Sequence, residues 1–322
     1  MGDYLSSRFS WIKDLAEKVR AEIHKSIVGM DTAIDALLIS LLVQGHVLIE
    51  GVPGLAKTYL AKAFANTLTL SFKRIQFTND LLPSDIIGGM IFDRRSSEFL
   101  FRPGPIFANI VLADEINRGA PRTQSALLEA MQEFQVTVEG KTYSLPRPFM
   151  VVATQNPIEL EGTYPLPEAE LDRFLMRVLV SYPSREEEIE ILKLKNMQGE
   201  NLNVSPVATT EQVFNAIDAV KDVYIEHDLL GYIVDIVRQS RGLPDLIIGA
   251  STRAETALLY AAKAYAAING RDYVLPDDVK YVTPLTLNHR IILRGQMSSV
   301  GRGEQEAVLV VKKVLDKVEA PK

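Results

Sequence analysis

The chain has 322 residues, 47% hydrophobic and 24% charged; this is a globular balance, and beyond about 250–300 residues one core usually gives way to more than one domain. Lys and Arg number 35 against 41 Asp and Glu, a formal net charge of -6, which disfavours a broad basic face for sequence-blind nucleic-acid binding. Cysteine is absent, excluding disulfides, thiolate zinc sites and a cysteine nucleophile, and the histidines His24, His46, His227 and His289 form no close ligand pair.

The first residues include Asp3, Arg8 and Lys13 and no apolar run, so no secretory signal is read there. Met1-Gly2 with Ser6 fits a loose myristoylation pattern, against which Asp3 counts. The apolar stretch 33–43 is interrupted by Asp35 and Ser40 and is too short to span a membrane. A soluble, cytoplasmic protein without membrane contact is the expectation.

Five short apolar runs are predicted as strands: 47–50, 73–77, 110–114, 149–154 and 176–180. Apolar residues on both parities imply burial on both faces, which favours a parallel sheet covered by helices. Two stretches interrupt the rhythm. Residues 80–105 hold Pro83, Gly88, Gly89, Pro103, Gly104 and Pro105 and predict an insert with little regular structure beyond one short helix. Residues 134–149 alternate apolar and polar side chains around Glu139-Gly140-Lys141 and predict a hairpin stopped by Pro146 and Pro148. After Tyr182-Pro183 the pattern turns helical: Ser184 and Glu187 form a capping-box pattern, and further helices are predicted near 211–224, 228–241, 253–268, 277–287 and 304–318. The boundary falls there, with one domain over 1–183 and an all-helical one over 184–322.

The strongest chemical signal is Gly51-Val52-Pro53-Gly54-Leu55-Ala56-Lys57-Thr58, between a strand and a helical run from Tyr59. Such a loop turns backbone N–H groups toward an anion, with the positive end of the next helix behind it. Lys57 then neutralises β and γ phosphates and the Thr58 hydroxyl ligates Mg2+. Ala56 replaces the usual glycine, which is acceptable if its φ is negative. Pro53 lacks an N–H and must point away from the phosphates. Ile110-Val111-Leu112-Ala113 ends in Asp114-Glu115: Asp114 suits Mg2+ held through water, and Glu115 suits orienting or deprotonating a lytic water. Asn156, held extended by Pro157, would present its amide at the carboxyl edge of the sheet, opposite Glu115. Alone, a strand-terminal Asp-Glu or an Asn-Pro pair is an ordinary turn.

Together with Asp114-Glu115-Ile116-Asn117-Arg118, Ala153-Thr154-Gln155-Asn156-Pro157, the segment from Pro165 to Phe174 and Gly249-Ala250-Ser251-Thr252-Arg253-Ala254, these motifs resemble the MoxR family of AAA+ ATPases over about 27–282. Ala56 is usual in that family; Thr252 stands where proline is common. The resemblance implies a P-loop αβα core with a five-stranded parallel sheet of order 5-1-4-3-2, followed by a helical lid. It makes residues 80–105 the helix-2 insert and 134–149 the hairpin before sensor 1. ATP or ADP would be held by Val28 and Gly29 at the adenine, by Gly51–Thr58 and Tyr59, and by Arg253 as sensor 2. Asn156 would be sensor 1 and Arg173 an arginine finger for the neighbouring subunit, with Mg2+ on Thr58 and Asp114. By themselves, Arg253 in a first helical turn wants an anion or Glu255 nearby, and Asp172-Arg173 could equally be a structural ion pair.

Function follows in three classes. The leading one, which the resemblance implies, is a Mg2+-dependent ATPase forming a homo-oligomeric, hexameric ring that remodels or matures a protein client, with a von Willebrand factor A domain protein as partner. The second is a nucleic-acid motor, for which Arg94, Arg95 and Arg102 in the first interruption and Lys141 at the tip of the second are basic material and against which the net charge counts. The third is a nucleotide-bound scaffold, against which Glu115 and Asn156 count.

Overall fold

A computed structural model describes residues 8–95, 97–157, 162–199, 202–294 and 303–321; the Met1-Gly2 and Ser6 pattern lies outside them. The chain begins with α1 (Ser10–His24) and α2 (Asp31–Leu42), then β1 (Val47–Glu50), α3 (Lys57–Thr67) and β2 (Phe72–Gln76). The first interruption supplies α4 (Pro83–Ile87), β3 (Gly88–Asp93) and β4 (Glu98–Pro103). β5 (Ile110–Asp114) leads through the 3-10 turn Ile116–Arg118 to α5 (Pro121–Glu133). Next come β6 (Gln135–Val138), β7 (Lys141–Ser144), β8 (Met150–Gln155), α6 (Glu168–Leu171) and β9 (Met176–Leu179). The rest comprises α7 (Arg185–Gln198), α8 (Thr210–Lys221), α9 (His227–Arg241), β10 (Leu246–Ile248), α10 (Thr252–Ile268), α11 (Pro276–Leu287), β11 (Ile292–Leu293) and α12 (Gly303–Lys317).

The central sheet is parallel throughout, in the order β2-β5-β8-β1-β9. Counting only its own strands along the chain, that is 2-3-4-1-5, the expected order read from the opposite edge. Period-2 alternation explains why strands apolar at every position can all be buried. Val47, Ile49, Ile110, Leu112 and Val152 face a core shared with α1, α2, α3 and the helices after Ser184. Leu48, Val111, Ala113, Val151 and Ala153 face a second core built on α5 through Leu127, Leu128 and Met131. Loops at the carboxyl ends of β1, β5 and β8 therefore emerge side by side, which is where a ligand site in such a sheet lies.

Three features depart from the sequence reading. Residues 80–105 are more regular than expected: β3 and β4 pair antiparallel from Gly88↔Pro103 to Asp93↔Glu98. Of the residues that suggested irregularity, Pro83 opens α4 and the others sit at the open end of this hairpin, where they do not break the ladder. The C-terminal region is helical but not wholly so, since β10 and β11 form a short antiparallel pair. Helix α1 was not anticipated, although Ile12, Ala16, Val19 and Ile23 recur at helical spacing and are buried. The second interruption is a hairpin in which Glu139 (φ 49) and Gly140 (φ 76) supply the two positive φ values of a tight primed turn.

No helix among the described residues is long and apolar enough to cross a membrane. The C-terminal helices are fastened to the last strand region and to α2 by polar contacts. Asn288 Nδ2 donates to Arg177 O at 3.0 Å, His289 Nε2 bonds Phe174 O at 2.9 Å, and Tyr281 donates to Asp35 Oδ2 at 2.8 Å.

Candidate functional site

The loop after β1 turns back into α3 within residues 51–56. Gly51 lies so close to β9 that a Cβ on it would come 2.7 Å from Val180 O. Gly54 has φ 85, in the left-handed region. Ala56 does too, with φ 53 and ψ 18, so the expectation of a negative φ there is corrected. The bend into α3 needs the left-handed geometry that glycine adopts freely, and alanine meets it at a cost of about 1–2 kcal/mol.

A cleft of about 900 Å³ opens on this loop. Its walls are the segment before α2 (Ser26, Val28, Met30), the loop and first turn of α3, the tips of β5 and β8, and the inner side of α7 (Glu187, Ile191, Leu194, Lys195). Helix α7 has no buried residue; its N-terminus is held by the Ser184–Glu187 box, with Ser184 N donating to Glu187 Oε2 at 2.7 Å and Glu187 N to Ser184 Oγ at 3.3 Å. Its inner residues are thus left facing the cavity rather than a core.

At the floor, Lys57 Nζ donates to Gly51 O and, at 3.1 Å, to Gln155 O. Thr58 Oγ1 donates to Asp114 Oδ2 at 3.0 Å, and Asp114 Oδ1 accepts from Thr154 Oγ1 at 2.6 Å. Arg74 reaches the same Oδ2 through Nε at 2.9 Å and Nη2 at 2.7 Å. Glu115 follows with φ 56; its N–H donates to Thr154 Oγ1 at 2.9 Å, while its Oε2 accepts from Gln76 Nε2 at 2.9 Å and meets Arg118 Nε at 3.3 Å. Asn156 is buried and lines the cleft beside Glu115.

The residues fit Mg2+ and a phosphate chain. Thr58 and Asp114 aim two hard oxygens at one point, and Mg2+ is held by one or two protein oxygens while keeping several waters. Lys57 and the N-terminus of α3 supply the positive field for an anion above the loop.

The other expected site residues are distributed unevenly. Val28 and Pro53–Tyr59 line the cleft; Gly29, Gly51 and Val52 are not among the described lining residues. Gly29 instead lies against α7, where a Cβ would come 2.6 Å from Glu187 Oε1. The ring of Tyr59 lies under Lys195 Nζ, 5.7 Å from its centroid, joining α3 to α7 across the opening.

Arg173 and Arg253 are likewise absent from the described cleft lining. Arg173 Nη1 donates to Leu128 O at 2.8 Å, and Arg253 Nη1 to Asp172 Oδ2 at 3.1 Å. Glu255, considered as the offset for Arg253, pairs with Arg241 at 3.2 Å instead. Asp172 Oδ1 accepts from Arg290 Nε at 2.7 Å, and Arg290 is buried, with burial pulling its pKa down against the pull of Asp172. Burial also pushes His289 well below its ordinary value.

Arg74 and Gln76 belong to no motif read from the sequence, and Thr154 enters only as part of the run Ala153-Thr154-Gln155-Asn156-Pro157. The first two share one parity on β2, the strand hydrogen-bonded to β5. Two polar side chains on that edge, Gln76 level with Asp114 and Arg74 level with Leu112, are the signal that would have found them.

Residues 46–176 match the family model described as the ATPase family associated with various cellular activities (AAA), and residues 239–309 match an AAA lid domain. The chain is 46% identical over 307 residues to the protein YeaC of Bacillus subtilis, covering 95% of each. It is 42% identical over 319 residues to Chaperone MoxR1 of Mycobacterium tuberculosis, covering 95% of this chain and 82% of that one. It is 30% identical over 305 residues to Protein MoxR of Methylorubrum extorquens, covering 87% and 88%. A crystal structure from Cytophaga hutchinsonii superposes with a TM-score of 0.87 at 42% identity, covering 98% of this chain and 97% of that one.

Proposed function

The chain belongs to the MoxR family of AAA+ ATPases, and from that premise we propose that it is a Mg2+-dependent ATP hydrolase that works as a ring, a hexamer, to remodel or mature a protein client. The observation that carries the reading is the convergence of Lys57, Thr58, Asp114, Glu115 and Asn156 on one cleft, with Thr58 Oγ1 and Asp114 Oδ2 3.0 Å apart.

In this reading Lys57 and the N–H groups of the loop hold the β and γ phosphates, and Val28 lies against the base. Thr58 and the Asp114 carboxylate would hold the metal, which would supply charge neutralisation to the phosphates. Glu115 takes a proton from the attacking water, and Asn156 orients that water from the other side; a positioned base of this kind contributes about 10²–10⁴ in rate. Arg173 and Arg253, which lie away from the chain's own cleft, serve the cleft of the next subunit. A lone chain then lacks the charge-stabilising finger, worth about 10³–10⁵ in rate, so assembly is part of the chemistry.

The client role draws on the chaperone name of a relative and on the β3–β4 hairpin, which exposes Ile91, Phe92, Phe99 and Leu100. Those side chains suit an apolar polypeptide better than a phosphate backbone, so a protein client is favoured over a nucleic acid. A von Willebrand factor A domain protein is the partner we would seek first.

The test is nucleotide binding and turnover in two variants. Lys57→Ala should lose most affinity for ADP and ATP by calorimetry. Glu115→Gln should keep binding ATP while turning over at least about 10²-fold more slowly. Unchanged binding in the first, or near-normal turnover in the second, rejects the assignment.

A further inference from the structure

Arg74 has a place in the site that the catalytic reading leaves without a task. It stands on β2, and its Nε and Nη2 meet Asp114 Oδ2 at 2.9 and 2.7 Å. The same oxygen accepts the Thr58 hydroxyl at 3.0 Å. Arg74 therefore occupies the very oxygen that, with Thr58, makes up the hard-donor pair. The Asp114 side chain is only 9% exposed, a depth at which a carboxylate needs a countercharge. Arg74 is 49% exposed and lines the cleft, so its guanidinium has a path away from Asp114.

A second arm leaves the same group. Arg74 Nη2 donates to Gln76 Oε1, and Gln76 Nε2 donates to Glu115 Oε2 at 2.9 Å. One guanidinium thus touches Asp114 directly and Glu115 through a single amide.

We propose that Arg74 is the resident countercation of the nucleotide-free site: it holds the Asp114 carboxylate until a divalent cation on Thr58 and Asp114 takes over that charge. The proposal rests on the nucleotide reading given above. A guanidinium and a dication at contact distance from one carboxylate oxygen repel each other strongly, so Arg74 must yield its contact for the metal to be accepted.

The test is Mn2+ uptake, followed by the loss of the free-ion electron paramagnetic resonance signal, into protein saturated with metal-free ADP. Arg74→Gln removes the competing charge and should lower the Mn2+ concentration at half-saturation at least about fivefold, the effect of one charge-assisted contact. Arg74→Met is a second charge-deleting variant with the same expectation, and Arg74→Lys should stay within about twofold of the unaltered protein because the positive charge remains. A midpoint that is unchanged or higher in the charge-deleted variants overturns this proposal alone. An unaltered protein that takes up no Mn2+ with ADP overturns the nucleotide reading and this proposal together.

Discussion

Gln76 and Glu115 face each other across adjacent strand tips, the Gln76 side-chain amide donating to Glu115 Oε2 over 2.9 Å. That contact, with Arg118 Nε on the same oxygen at 3.3 Å, occupies the carboxylate oxygen that an attacking water would need. Gln76→Leu removes the amide and leaves the carboxylate available to water. Steady-state ATPase without client should rise about threefold or more, a small part of the range open to a general base. A rate equal to or below that of the unaltered protein would mean that the contact does not restrain Glu115.

The sequence made the sheet and the cleft floor legible because both are written in local patterns. Strands apolar at every position, such as Ile110–Asp114, announce burial on two faces, and the Gly51–Thr58 loop announces an anion. What it did not disclose depends on pairing at long range. Arg74 and Gln76 acquire meaning only when β2 lies beside β5, with Gln76 level with Asp114. Asp172 likewise binds partners 81 and 118 residues away, which no short window contains. The β3–β4 hairpin was hidden because its glycines and prolines mark its open end rather than a break.

Ala56 offers a test of backbone strain. Its φ of 53 is left-handed, so Ala56→Gly removes a Cβ penalty of about 1–2 kcal/mol and returns part of it as extra freedom in the unfolded chain. The net expectation is a thermal midpoint higher by roughly 1–2 °C, read by scanning calorimetry. A lower midpoint would show that the loop does not hold Ala56 in that conformation.

Sharing of the site between subunits predicts complementation. Arg173→Ala chains keep their own Lys57, Asp114 and Glu115, while Glu115→Gln chains keep the arginine. Each variant alone should be nearly inactive, and mixed assemblies should recover part of the turnover, because some clefts pair an intact Glu115 with an intact neighbouring Arg173. No recovery in assemblies shown to contain both chains would place Arg173 outside the reaction.

His46 predicts the shape of the acid limb of stability. It is buried between α5 and β8, with Nε2 bonded to Met131 O at 3.0 Å and Nδ1 accepting from the Val151 N–H at 3.0 Å. A proton on Nδ1 would face that donor, and burial already lowers the folded pKa from 6.5 to about 4. The unfolded chain therefore binds the proton first as pH falls. Stability from this residue is complete above about pH 6.5 and is lost toward pH 4, up to on the order of 3 kcal/mol. His289, also lowered, acts in the same direction. Urea midpoints should fall between pH 6.5 and 4.5, before most carboxylates titrate, and His46→Gln should flatten that slope. An equal slope in the variant would assign the acid limb to other groups.

Asp172 separates a structural ion pair from an exposed one on the same carboxylate. Its Oδ1 accepts from Arg290, whose side chain is 3% exposed, and its Oδ2 from Arg253, 59% exposed. Arg290 also donates to Phe174 O at 2.7 Å and Leu175 O at 3.1 Å, but carbonyls offset a buried cation only in part. Asp172→Ala strands that charge beneath the C-terminal helices, and breaking a buried pair from one side costs about 3–5 kcal/mol; the remaining carbonyls place the expectation at the low end. Arg253→Ala removes only a solvent-screened partner and should cost less than about 1 kcal/mol, while abolishing most turnover if Arg253 serves a neighbouring cleft. Urea unfolding of both variants, set beside their ATPase rates, distinguishes the two: Asp172→Ala unstable, Arg253→Ala stable but slow. Equal stability losses would mean that Arg290 is neutralised by something other than Asp172.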